Sequence, residues 1–312
     1  MGKLAYVFPG QGSQAVGMLA DLAGEHSLIE STFEEASAAL GYDLWQLAQS
    51  GPEDKLNQTE FTQPALLAAS IAIWRVAQSL GAVKPDVVAG HSLGEYSALV
   101  AAGVVAFADA IKLVQQRGQF MQTAVPLGQG GMAAVLGLED DIVRELCAKA
   151  SNGEELVQAA NYNAPGQVVI AGSNAALERA IEALKDAGAK RAMPLAVSAP
   201  FHSALMKPAA DKMAEALAGV TFNSPEIQVL QNVDAGYHSN VDEIRSNLVA
   251  QMFSAVLWTE TIQRLAADDV TTVVECGPGK VLSGLTKRID KSIQGLSINS
   301  LESLTTTLET LG

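Results

Sequence analysis

Residues Gly90-His91-Ser92-Leu93-Gly94 form a G-x-S-x-G sequence between an apolar run, Asp86-Val87-Val88-Ala89, and a helix-like stretch, Glu95–Ala102. Between a strand and a helix this spacing makes a sharp turn that lifts the serine hydroxyl above a sheet edge at a helix N-terminus. The glycines tolerate the crowding, and the next backbone N–H, that of Leu93, can point at a developing oxyanion. The chemistry implied is nucleophilic attack on a carbonyl by Ser92. Such a serine needs a base, and histidine is the side chain tuned for that near neutral pH. The chain has four, His26, His91, His202 and His238. His26 lies in a polar stretch and His238 in a turn-like Gly-Tyr-His-Ser-Asn, so both read as surface residues. His91 adjoins Ser92, and neighbours at a sharp elbow point apart. His202 sits in Val197-Ser198-Ala199-Pro200-Phe201-His202-Ser203, directly after a strand-like segment, where a parallel sheet places its active-site loops. It is the candidate base. No acid with a distinctive setting orients it: candidates between 92 and 202 exist, and a neutral orienting group is the alternative.

The elements that must position these groups follow from apolar periodicity. Leu4–Phe8 is a buried-strand run ended by the turn-forming Pro9-Gly-Gln-Gly-Ser-Gln14. Helical patterns cover about 28–40, 63–80 (closed by Gly81) and 107–123, with the Asp86–Ala89 strand between the last two. Strands alternating with helices imply a parallel sheet covered on both faces. Near residue 126 the texture changes. A strand at 132–138, a helix at 139–151, strands at 156–163 and 167–172, a helix at 174–187 and a strand at 191–197 give β-α-β-β-α-β, the ferredoxin-like order. The α/β texture then returns, with a strand near 227–230, a helix near 242–252 and a strand at 272–275. The expected fold is therefore α/β: a large hydrolase-like parallel-sheet domain, residues 1–126 and 198–312, interrupted by a small ferredoxin-like (βαββαβ) domain, residues 127–197. Ser92 precedes the insertion and His202 follows it, so the site is expected in the cleft between the two.

Composition narrows the class. The 312 residues are 48% hydrophobic and 17% charged, enough to bury a sizeable core. A net charge of -14, from 20 Lys+Arg against 34 Asp+Glu, argues against a general binder of nucleic acid or anionic membrane. Cys147 and Cys276 cannot build a disulfide framework, and no Cys-x-x-Cys pair or His/Asp/Glu cluster has metal-ligand spacing. The start carries no apolar signal core, and the most apolar region, 87–107, contains His91 and Glu95. A soluble cytoplasmic protein with no bound metal and no permanently bound cofactor is expected.

Five segments occur in one order: Pro9-Gly-Gln-Gly-Ser-Gln14, Gly90-His-Ser-Leu-Gly-Glu-Tyr96, Arg117-Gly118, Ser198-Ala-Pro-Phe-His-Ser203 and Glu275-Cys-Gly-Pro-Gly-Lys280. Together they resemble the malonyl-CoA:acyl carrier protein transacylase family of fatty acid synthesis, in its stand-alone bacterial form, from Phe8 to about Arg288. The resemblance implies a ping-pong cycle: Ser92 takes malonyl from malonyl-CoA as an ester, and the phosphopantetheine thiol of acyl carrier protein then removes it. It implies that His202 is the base and that a backbone carbonyl, here of Gln251, orients it, which would explain the absent acid. The oxyanion hole would combine the N–H groups of Leu93 and Gln11. Arg117 would pair bidentately with the malonyl carboxylate, and His91, Met121, Asn163 and Val197 would line the acyl pocket. Phe201 departs from several relatives, which carry a smaller residue before the base.

The family's carrier protein is acidic, and so is this chain, so docking must depend on local positive charge. The basic doublets Lys190-Arg191 and Lys287-Arg288 are the candidates. The partners implied are a CoA thioester and acyl carrier protein, with no nucleic acid and no membrane, and a monomer is expected. Two rivals share the same residues. An elbow with a base also serves a serine hydrolase, and a catalytically silent acyltransferase-like subunit is the non-enzymatic reading.

Overall fold

The computed structural model describes residues 2–197 and 199–312; Ser198, which opens both the Ser-Ala-Pro-Phe-His-Ser segment and the expected return to the large domain, lies outside them. Among the described residues nine strands run in chain order: β1 Lys3–Phe8, β2 Val87–Gly90, β3 Gly130–Leu136, β4 Val157–Ala164, β5 Gln167–Ser173, β6 Arg191–Pro194, β7 Gln228–Leu230, β8 Val270–Cys276 and β9 Gln294–Ile298. Five of them form a sheet in the order β7-β2-β1-β8-β9, with every pairing parallel. In β1 both parities of the apolar run are buried, as a sheet covered on two sides requires. Leu4, Tyr6 and Phe8 join a core with Ile29, Leu66 and Val114, while Ala5 and Val7 join another with Ile262, Leu265 and Leu282.

The remaining four strands form an antiparallel sheet ordered β4-β5-β3-β6. The helices Asp140–Ala150 and Asn174–Asp186 contribute Val143, Cys147, Leu177 and Ile181 to a core of its own. This sheet is fastened to the rest through β4: Tyr162 N–H donates to Val256 O (3.0 Å), and Val256 N–H donates to Ala160 O (2.9 Å). Among the described residues, no helix is long and apolar enough to cross a membrane.

Two expectations change. The strand expected over 191–197 stops at Pro194; Leu195 N–H still reaches Met132 O (2.9 Å), but Val197 N–H turns back to Leu195 O (2.9 Å). That tight turn takes the chain off the sheet and directs it to the site. In the C-terminal third, β9 and the helices Lys207–Ala218, Trp258–Ala267, Val281–Ile289 and Leu301–Leu311 were not foreseen. The β9 segment Gln-Gly-Leu-Ser-Ile is paired on one side only and fully buries only Ile298, so its apolar signal is weak.

Candidate active site

The site is built at the carboxyl edge of the parallel sheet. The elbow Gly90–Gly94 leaves β2, the Pro9-Gly-Gln-Gly turn leaves neighbouring β1, and His91 N–H ties the two through Phe8 O (3.0 Å). This approach needs glycine. A Cβ on Gly94 would stand 2.0 Å from Phe8 O, and one on Gly10 would stand 2.6 Å from His91 O. Ser92 adopts φ 54° and His202 φ 57°, the left-handed region that ordinary side chains avoid. Strain of this kind costs on the order of 1–3 kcal/mol per residue and persists where surrounding contacts enforce it.

The candidate nucleophile and base meet across 110 residues: Ser92 Oγ lies 2.7 Å from His202 Nε2. On its far side, His202 Nδ1 lies 2.8 Å from the main-chain O of Gln251, which can only accept. Nδ1 therefore carries the proton, and Nε2 is left free to accept from the serine hydroxyl. Burial, and after it the charge of Arg117, lowers the His202 pKa from 6.5 to about 3. The neutral ring is the form that acts as base, so a lowered pKa extends the active form toward acid pH. Acylation of Ser92 is thus expected to change less than about twofold between about pH 7.5 and about pH 5.5; a base titrating at its ordinary value would lose about tenfold over that span. Single-turnover acylation measured across the range decides between them.

Arg117 comes from the helix Phe107–Thr123 and is 1% exposed. Its Nη1 donates to Gln63 Oε1 (2.9 Å), and its Nη2 donates to Gln251 Oε1 (2.7 Å) and to Ser92 Oγ (3.1 Å). The Tyr96 ring lies 5.6 Å from the guanidinium carbon, and Nε finds no partner among the described residues. All three acceptors are neutral, and among the described residues Arg117 makes no ion pair. The buried Glu95 carboxylate acts on Arg117 from beyond ion-pair distance, so the cation's direct partners are neutral, and an incoming anion would relieve the cost of its burial.

The cavity above Ser92, about 200 Å³, is lined by His91, Met121, Asn163 and Val197, the residues the family resemblance implied for an acyl pocket, with Gln11 and Leu93 at the elbow side. His91 Nε2–H donates to Asn163 Oδ1 (2.8 Å), and burial holds its pKa below the usual value. The backbone N–H groups of Gln11 and Leu93 donate to no acceptor among the described residues. Phe201 also lines the cavity. Gln63 was missed: it is a buried glutamine on the apolar helix Thr59–Ser79, and that misfit of type and setting was its only signal.

Lys190, Arg191, Lys287 and Arg288 are exposed. Arg191 stands opposite Leu136 of β3, and Arg288 Nη1 donates to Gln167 Oε1 (2.9 Å), itself opposite Leu136 on β5. Both doublets thus reach one end of the antiparallel sheet. The cavity touches the other end of β3, at Met132.

The acyl transferase domain family matches residues 5–302. The Malonyl CoA-acyl carrier protein transacylase of Escherichia coli K12 is 55% identical over 309 residues, covering 99% of this chain and all of that protein. The crystal structure of an acyl carrier protein S-malonyltransferase from Vibrio cholerae is 57% identical with a TM-score of 0.96, covering 98% of this chain and 99% of that one. A malonyl-transacylase solved in complex with its type II PKS acyl-carrier protein is 53% identical, with a TM-score of 0.97 and 99% of each chain covered. With the Ser92–His202 pair in place and this similarity running the whole length, the chain belongs to the acyltransferases, in the malonyl CoA-acyl carrier protein transacylase family.

Proposed function

We propose that this chain moves malonyl from malonyl-CoA to the phosphopantetheine thiol of acyl carrier protein through a malonyl ester on Ser92, supplying the extender unit of fatty acid synthesis. The observation that carries the proposal is Arg117, a buried cation whose hydrogen-bond acceptors are all neutral, 3.1 Å from Ser92 Oγ. A malonyl ester on Ser92 carries its free carboxylate one methylene beyond the ester carbonyl, and a planar fork beside Oγ suits it.

In the first half-reaction Ser92 Oγ attacks the thioester carbonyl while its proton passes to His202 Nε2. The N–H groups of Leu93 and Gln11 take the oxyanion. The C–S bond breaks, the CoA sulfur receives the proton from His202, and CoA leaves. The carrier thiol then gives its proton to His202 and attacks the ester, and the proton returns to Ser92 Oγ as the product departs. No step calls for a permanently bound cofactor.

The reading takes residues 1–126 and 198–312 as one hydrolase-like domain and 127–197 as an inserted ferredoxin-like one. The separate core of the antiparallel sheet and its strand order support this. On the same proposal the protein is a cytoplasmic monomer and Lys190, Arg191, Lys287 and Arg288 dock the carrier; what supports the docking role is that all four are exposed and gathered at one sheet end, at the opposite end of β3 from the cavity residue Met132.

Intact-protein mass spectrometry after mixing with malonyl-CoA tests the reaction. The expected result is a malonyl adduct on Ser92 that is stable in buffer and discharged on adding holo acyl carrier protein. Prompt discharge to water would instead make the chain a hydrolase, and absence of any adduct would make it a silent subunit.

A further inference from the structure

Asn232 lies just beyond β7, is fully buried, and has every polar atom engaged. Its side-chain amide spans the elbow: Nδ2–H donates to Gly90 O (2.7 Å), and Oδ1 accepts from Ser92 N–H (2.7 Å). Its backbone is gripped as well. Asn232 N–H donates to Glu95 Oε2 (2.8 Å), and Leu257 N–H donates to Asn232 O (3.0 Å). Glu95, on the helix that follows the elbow, is itself fully buried, and its other oxygen accepts from Gln231 Nε2 (2.9 Å). Gln251 closes the ring, donating from Nε2 to Ser92 O (3.0 Å) and to Asn232 Oδ1 (3.4 Å).

These contacts have a direction that simple satisfaction of buried groups does not need. One amide grips Gly90 and Ser92, the entry and the middle of the elbow, and Ser92 itself stands at φ 54°. It also occupies the Ser92 N–H, so that the free donor facing the cavity is the next one along, at Leu93. We propose that Asn232 is the positioning residue of the nucleophile: its side chain staples the elbow in the conformation that aims Ser92 Oγ at His202, and the buried Glu95 carboxylate fixes the staple. The inference rests on Ser92 being the nucleophile of the reaction proposed above.

The consequence is a loss of nucleophile geometry with the substrate pocket left intact, because Asn232 does not line the cavity. Misplacing a reacting atom by about an ångström costs on the order of 100-fold in rate. The test measures Ser92 labelling by an alkyl fluorophosphonate, a neutral probe that needs neither Arg117 nor a thioester, alongside KM for malonyl-CoA and thermal melting. For Asn232→Ala the labelling rate should fall by about 100-fold with KM changed less than about threefold. Asn232→Asp keeps the acceptor for Ser92 N–H and loses the donor to Gly90 O, so it should fall by about tenfold. Glu95→Gln, which retains an acceptor for Asn232 N–H, should label faster than Glu95→Ala. Labelling of either Asn232 variant within threefold of the parent would overturn the staple; if Asn232→Ala does not fold, the Asp variant decides. A parent chain that is never labelled at Ser92 would overturn the proposed reaction together with it.

Discussion

Replacing Arg117 with alanine is expected to cut malonyl transfer by roughly a hundred- to thousandfold, and acetyl transfer by about tenfold at most. The guanidinium is desolvated and has no carboxylate within ion-pair distance, the buried Glu95 acting on it only from farther off, so a malonyl carboxylate entering the cavity would find a buried cation with neutral direct partners. Without Arg117 the same carboxylate must be buried alone, which is the expensive case. Acetyl carries no such group. It should feel only the lost hydrogen bond from Nη2 to Ser92 Oγ and the changed polarity around His202. Acylation of Ser92 by malonyl-CoA and by acetyl-CoA, measured side by side, reads the difference directly. Equal losses on the two thioesters would remove Arg117 from its specificity role.

His202→Ala should lower Ser92 acylation by about 10³- to 10⁴-fold while changing KM for malonyl-CoA little. Ser92 Oγ has two contacts, His202 Nε2 at 2.7 Å and Arg117 Nη2 at 3.1 Å, and arginine only donates. His91 makes no hydrogen bond to Ser92 Oγ among the described residues; its Nε2–H donates to Asn163 instead. The alanine chain therefore keeps its arginine and its elbow but has nowhere to send the hydroxyl proton. Single-turnover acylation followed by mass is the measurement, and a loss smaller than tenfold would show that another group serves as base.

Much of the site could be read from local pattern. G-x-S-x-G between an apolar run and a helix is a statement about backbone geometry, and the elbow at Ser92 follows from it. His202 was identified by elimination and by its place after a strand, and the structure puts it in contact with Ser92. Arg117 was a different matter: on an amphipathic helix an arginine looks solvated, and only the family's pattern of segments singled it out. Gln63, Asn232 and the Glu95 carboxylate gave almost no signal. A buried Gln on an apolar helix, or a Glu inside the 87–107 apolar stretch, marks an anomaly without naming its partner. Those partners lie 54 residues away for Gln63 and 137 for Glu95, beyond any periodicity.

The sequence by itself determined most strands, about half of the helices and the kind of chemistry. Backbone propensity, glycine placement and apolar alternation act within a few residues, and they specify an α/β chain with a serine elbow and a later histidine. The edge strand β9 escaped because one-sided pairing demands little apolar surface. Tertiary structure decided everything that depends on two distant segments meeting. The β7-β2-β1-β8-β9 order sets the Pro9 turn beside the elbow, and packing of the Val241–Gln251 helix brings one glutamine to several groups at once. From Gln251 the main-chain oxygen holds the His202 ring, Oε1 holds Arg117, and Nε2 holds the Ser92 carbonyl. Hydrogen bonds are short and directional, so their partners exist only once the fold has brought the chain segments within about 3 Å.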